Sequence, residues 1–194
     1  MRLTRTVKTT AAMIATAAVG ASAASALIGS PAAAPLSQSP VARPGSDRVG
    51  QTAPDPAGGL AWAVRRYVST SGSSCVEAGR ISEGRFGQIR PDGIFGETPV
   101  QESGTCGSLV EEPVLLAINH SPAAGQRPAR TVLFGQARSD VAALEVTGAD
   151  GAHRRLVAGA GGEFILPLAG TIAPTDLPVQ VTLLTGQQLT FDWR

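Results

Sequence analysis

The chain of 194 residues contains one lysine, Lys8, one asparagine, Asn119, two histidines and two cysteines. Each scarcity removes a class of chemistry. His120 and His153 lie far from Cys75 and Cys106, so the four do not give the ligand spacing of a structural zinc site. No Cys-x-x-Cys pair, no Gly-x-Ser-x-Gly nucleophile elbow and no Ser-x-x-Lys motif occurs. Calcium-loop, Walker-loop and dinucleotide fingerprints are missing too. The 15 carboxylates are scattered, and only Glu111 and Glu112 are adjacent, so no pair arranged for glycoside hydrolysis stands out. Nothing in this inventory calls for a cofactor or a metal. Nucleic acid is not an expected partner, because displacing counterions from a phosphate backbone needs clustered cations. The only adjacent basic pairs are Arg65-Arg66 and Arg154-Arg155. No window carries a capped amphipathic helix.

Aromatic residues are also few, and all eight fall between Trp62 and Trp193. That places the start of the globular part near residue 58. Ahead of it the chain has the layout of an export signal. Arg2, Arg5 and Lys8 precede an uncharged run of small or apolar residues from Ala11 to Ile28. Residues 1–30 are therefore expected to be a signal peptide or a single-pass anchor. As a helix the 18-residue run would span about 27 Å, near the bilayer core of about 30 Å. Nine of its residues are alanine, however, which makes stable insertion marginal and favours cleavage. Removing the three leading cations from a formal charge of +1 leaves −2. Six prolines fall within residues 31–57, which read as a disordered Pro/Ala-rich linker. Residues 58–194 are then an exported domain, secreted or held at the outer face of the membrane, with membrane contact only through the N-terminal segment if it is uncleaved.

In that domain the apolar residues alternate with polar ones, the period of half-buried strands. Trp62, Val64 and Val68 share one face, as do Leu144 and Val146, Phe164, Leu166 and Leu168, Val179, Val181 and Leu183, and Leu189, Phe191 and Trp193. Val114–Ile118 is a short continuous apolar run of the kind a central strand shows. Asp150-Gly151, Gly186 and Gly159–Gly162 supply turn chemistry between strands. The expected fold is all-β: an antiparallel, immunoglobulin-like β-sandwich of roughly eight to ten strands.

Residues 69–112 differ in texture, with eight glycines and two copies of a short pattern, Gly84-Arg85-Phe86-Gly87 and Gly93-Ile94-Phe95-Gly96. Two readings are open. The copies are loops presenting Phe86 and Phe95 to a ligand, or short strands whose rings enter the core while the glycines turn the chain. Arg90-Pro91-Asp92-Gly93 between them is a turn. Cys75 and Cys106 both lie in this part, and outside the cytoplasm a disulfide is their expected state. Closing that loop would remove unfolded-state entropy equivalent to roughly 3 to 4 kcal/mol. His120 sits where a strand runs into Ser121-Pro122, and is either a structural histidine or a loop-borne binding residue. A hydrolase would need it beside a nucleophile with a carboxylate behind.

Three stretches, Asp55–Arg65, Cys75–Ile81 and Arg90–Gly96, resemble uncharacterised exported proteins of actinobacteria, over about residues 55–140. The resemblance implies a recurring extracytoplasmic module and carries no catalytic residue. The expected function is a non-enzymatic binding or cell-envelope interaction module for an unspecified envelope or extracellular ligand. A membrane-anchored sensory ectodomain and an extracellular hydrolase are the alternatives.

Overall fold

Alternating apolar positions become strands of three antiparallel sheets in the computed structural model, which describes residues 41–100, 104–125, 127–148, 150–191 and 193. The expected export segment and residues 31–40 of the expected linker lie outside the described residues. The first sheet is built from β1 (Arg48–Ala53), β2 (Trp62–Val68), β3 (Ser74–Ser82), β4 (Arg85–Ile89) and β5 (Phe95–Glu97) in chain order, with β6 (Thr105–Gly107) added to β3. The middle sheet comprises β7 (Val114–Ser121), β8 (Arg130–Ala137) and β11 (Glu163–Ala169), with β8 central. The third sheet runs β10-β9-β12-β13, from β9 (Val141–Thr147), β10 (His153–Leu156), β12 (Val179–Leu183) and β13 (Gln188–Phe191). The helical content of the described residues is a single 3-10 turn at Pro174–Asp176.

The class is the one expected, all-β and antiparallel, but the layering is richer than a two-sheet sandwich. The described residues form 13 strands rather than eight to ten, because the middle sheet is covered on both faces. Side chains alternate across a strand, so each middle strand divides its apolar residues between two cores. Val114 and Leu116 of β7, Leu133 of β8 and Phe164 of β11 pack against Leu144, Val146, Val179, Val181, Leu189 and Phe191 of the third sheet. Ala117, Val132, Phe134 and Ile165 meet Trp62, Val64, Val76 and Ala78 of the first. A strand dry on both sides reads as an unbroken apolar run, which is why Val114–Ile118 does not alternate. Gly135, at the centre of β8, admits no Cβ: one would collide with the Leu115 carbonyl and the Phe164 ring.

The predicted shared faces of the last third hold, while of Trp62, Val64 and Val68 only the first two enter a core. Phe164, Leu166 and Leu168 line one core, as do Val179, Val181 and Leu183, and Leu189, Phe191 and Trp193. The turn signals hold as well. Gly151 and Gly186 both take positive φ, 73° and 81°, between β9 and β10 and between β12 and β13. The expected linker is shorter than residues 31–57. Arg48–Ala53 pairs with β2 as an edge strand, and Ala42 bridges to Ser69, so the fold takes in residues the composition assigned to the tether. Proline and glycine set that composition, yet between Pro44 and Pro54 lie the six residues of β1, none of them proline and all free to donate to a ladder.

Strand β2 also departs from simple alternation. Its outer face carries Ala63, Arg65 and Tyr67, all buried. Thr98 and Pro99 cover Arg65, accepting hydrogen bonds at 2.7 and 2.9 Å through their carbonyls. The Cys75–Cys106 disulfide joins directly opposed residues of β3 and β6 and anchors the far end of this cover.

Candidate functional site

A cleft of about 470 Å³ opens where the loop after β1, the ends of β3 and β4, and the β7–β8 connection converge. Its floor is a buried carboxylate. Asp55 follows β1 and is only 8% exposed, and every oxygen of its side chain is engaged. Oδ1 accepts from the Ala57 amide at 2.8 Å and from Arg130 Nε at 2.7 Å. Oδ2 accepts from Trp62 Nε1 at 3.1 Å and pairs with an Arg80 terminal nitrogen at 2.6 Å. Burial by itself would raise this carboxyl, but the Ala57 amide and the two guanidinium groups outweigh it and hold the pKa at about 2.

The two arginines are fixed in turn. Arg80 lies 3.6 Å above the Trp62 ring and donates to the Leu60 carbonyl at 2.6 Å. Arg130 donates to the carbonyls of Pro128 and Ala129 at 3.0 and 2.8 Å. Burial lowers the Arg80 pKa, Asp55 opposes that, and the like charges of Arg130 and Arg127 add to it. One carboxylate thus joins three chain segments: the loop after β1, β3 of the first sheet and β8 of the middle sheet.

Two more arginines line the cleft. Arg127, half-buried in the β7–β8 connection, and Arg90, exposed at the end of β4, make no side-chain hydrogen bond or ion pair with the described residues. Asp55 is the only carboxylate among the lining residues. The remaining wall is largely apolar, with Leu60, Ile89, Pro91, Pro122 and Pro128. Four guanidinium groups against one carboxylate give the cleft a positive field, focused by low-dielectric walls.

Few of the residues singled out from the sequence fall here. Phe86 is 5% exposed on β4, beneath the Arg65 guanidinium at 4.4 Å and over Gly79, whose missing side chain makes the space. Phe95 is half-buried on β5. These are the short strands of the second reading, with the glycine turn between them: the Gly93 amide donates to the Arg90 carbonyl at 2.9 Å. His120 is exposed at the end of β7, with Nδ1 3.3 Å from Thr131 Oγ1. Its neighbour Ser121 lines the cleft, and successive strand residues point to opposite faces, so the two do not form a dyad. His153 is likewise exposed, 3.1 Å from Thr147 Oγ1. Cys75 and Cys106 form the expected bridge. Among the described residues no group of His, Cys, Asp and Glu could hold a metal ion, and no helix is long and apolar enough to cross a membrane.

Asp55, Arg80, Arg90, Arg127 and Arg130 escaped sequence reasoning. They are 75 residues apart at the extremes and share no spacing. Asp55 also fell within residues assigned to the linker. The one available signal was an acid beside Pro54 and Pro56, seven residues before a tryptophan. Comparison with protein-family models, curated proteins and solved structures finds no match for the chain.

Proposed function

We propose that this protein is a non-enzymatic, exported binding module that takes a negatively charged ligand of the cell envelope or its surroundings in the cleft over Asp55. The observation that carries this reading is the charge of the lining: four arginines and one carboxylate, with two of the arginines lacking a partner among the described residues. A buried pair needs its counterion, and Asp55 supplies one for Arg80 and Arg130 together. Arg90 and Arg127 have none within the described protein. The rest of the chain does not share this bias, because residues after Lys8 sum to −2. A bound anion would therefore be drawn by a local field and not by overall charge.

Export is supported by the signal-like layout of residues 1–30 and by the disulfide, which persists in oxidising compartments. Each facing pair of sheets is read as a sandwich of the kind on which immunoglobulin-like modules present loops. The three stretches that resemble exported actinobacterial proteins supply Asp55, Trp62, Arg80 and Arg90, which is why the likeness is read as a shared binding module.

The test is retention of the full chain on dextran sulfate and on neutral dextran at physiological ionic strength. Retention on the anionic matrix alone, lost with salt and lost in the double variant Arg90→Gln/Arg127→Gln, is expected. No retention, or retention indifferent to the two substitutions, rules the reading out.

A further inference from the structure

Resting on that reading, we infer that the charged group of the ligand is a phosphate monoester, gripped by Arg127 with Arg90 beside it and carried on a small neutral body of sugar size. The number of charges decides the group. Asp55 offsets one of its two bound arginines, which leaves one surplus positive charge in the buried tier; Arg127 and Arg90 each add one. Arg127 stands near enough to Arg80 for its charge to act on Arg80. A carboxylate or a sulfate ester brings one negative charge and would leave two cations facing each other. A phosphate monoester carries about −1.5 to −2 near neutrality and offers three strong acceptor oxygens.

The donors match that group. The Arg127 side chain is half-buried and makes no hydrogen bond or ion pair with the described residues, and the planar fork of guanidinium suits two phosphate oxygens at once. Gly59, also in the cleft lining, is exposed, takes a φ of 91° and makes no hydrogen bond to the described chain. An anion can approach its backbone closely there. The apolar wall beyond the arginines gives the ligand's body a surface, and about 470 Å³ admits a group of monosaccharide size beside the phosphate.

The experiment is calorimetric titration of the full chain at constant ionic strength and pH 7.5 with glucose 6-phosphate, glucuronate and glucose, three probes that share a body and differ in charge. Glucose 6-phosphate is expected to bind at least tenfold more tightly than glucuronate, with no measurable heat from glucose. Arg127→Gln is expected to weaken glucose 6-phosphate at least tenfold, and Arg90→Gln by less. Neither variant should lower the melting temperature by more than a degree or two, since neither side chain makes a hydrogen bond or ion pair with the described residues. Glucuronate binding equally well, or an affinity unmoved by Arg127→Gln, overturns the assignment. If none of the three binds, the phosphate assignment falls, and retention on dextran sulfate then separately decides whether the broader anion reading falls with it.

Discussion

The middle sheet presents two faces to two different neighbours, and they are held in different ways. Toward the third sheet it offers Leu116, Leu133 and Phe164, which meet Leu144, Val146, Val179 and Val181 in a core with no buried charge among the described residues. Toward the first sheet it contributes Arg130 and Glu163 along with Val132 and Phe134. There Arg130 meets Asp55 at 2.7 Å and Glu163 lies 3.6 Å from Arg66, while Arg65 and Glu77 pair at 2.6 Å on the far side of the same sheet. An apolar interface gains from area removed from water and tolerates variation of shape. A charged one stabilises only if each group keeps its partner, and in return it fixes position. The cleft over Asp55 lies on the charged side, where the buried carboxylate holds the guanidinium groups of Arg80 and Arg130 in place.

Removing one member of the charged tier is expected to have the largest effect. Asp55→Ala leaves Arg80 and Arg130 buried without a counterion and should cost about 3 to 5 kcal/mol in urea unfolding. An effect below about 1 kcal/mol would show that water already neutralises the tier. On the apolar side, Leu133→Ala should cost about 2 to 5 kcal/mol through lost burial and the cavity left behind. The contrast sharpens in the triple variant Asp55→Leu/Arg80→Met/Arg130→Met, which replaces charge by apolar volume. It should keep most of the stability while weakening retention on dextran sulfate without abolishing it, since Arg90 and Arg127 remain; a large loss of stability would mean that the ion pairs hold the fold.

Reduction of the Cys75–Cys106 bridge should lower stability by roughly 3 to 4 kcal/mol, given the 31-residue separation. Intact mass with and without reductant checks that the bridge forms. Acid should act on the charged side first. The Asp55 carboxyl is held at about 2, below its ordinary value, so its contribution is complete above about pH 4. It is lost as the pH falls from about 4 toward 2, a decline of about 2 kcal/mol. Asp55→Asn should flatten that decline in a pH series of thermal melts. The smallest effect belongs to Asp150, exposed and paired with Arg154 at 2.6 Å. Asp150→Ala should leave the urea midpoint where it is, as surface pairs in the β9–β10 turn contribute little.

The third sheet was the most legible part of the chain. Its strands have one dry face and one wet face, so Leu144 and Val146, or Leu189 and Phe191, announce both the strand and its buried side. The turns at Asp150-Gly151 and Gly186 were equally readable, because positive φ demands glycine. The first sheet was less so. Arg65 and Tyr67 occupy positions that alternation assigns to solvent, and they are buried only because the segment beyond β5 folds back over them. Strand β1 was missed because prolines on both sides gave it the composition of a tether. The Phe86 and Phe95 copies were readable as two short strands or two loops, and they form strands β4 and β5, with Phe86 beneath Arg65.

What the sequence determined by itself was most of what depends on neighbours along the chain, namely strand periodicity, turn positions and the signal-like layout of residues 1–30, together with the disulfide, since Cys75 and Cys106 are the only two cysteines. What only the tertiary structure decided was the third layer and the cleft. A strand's alternation records whether its faces are dry, not which sheet dries them. A buried charge such as Asp55 is tolerable only where distant arginines meet it, and no local pattern encodes the meeting of residues 55, 80 and 130.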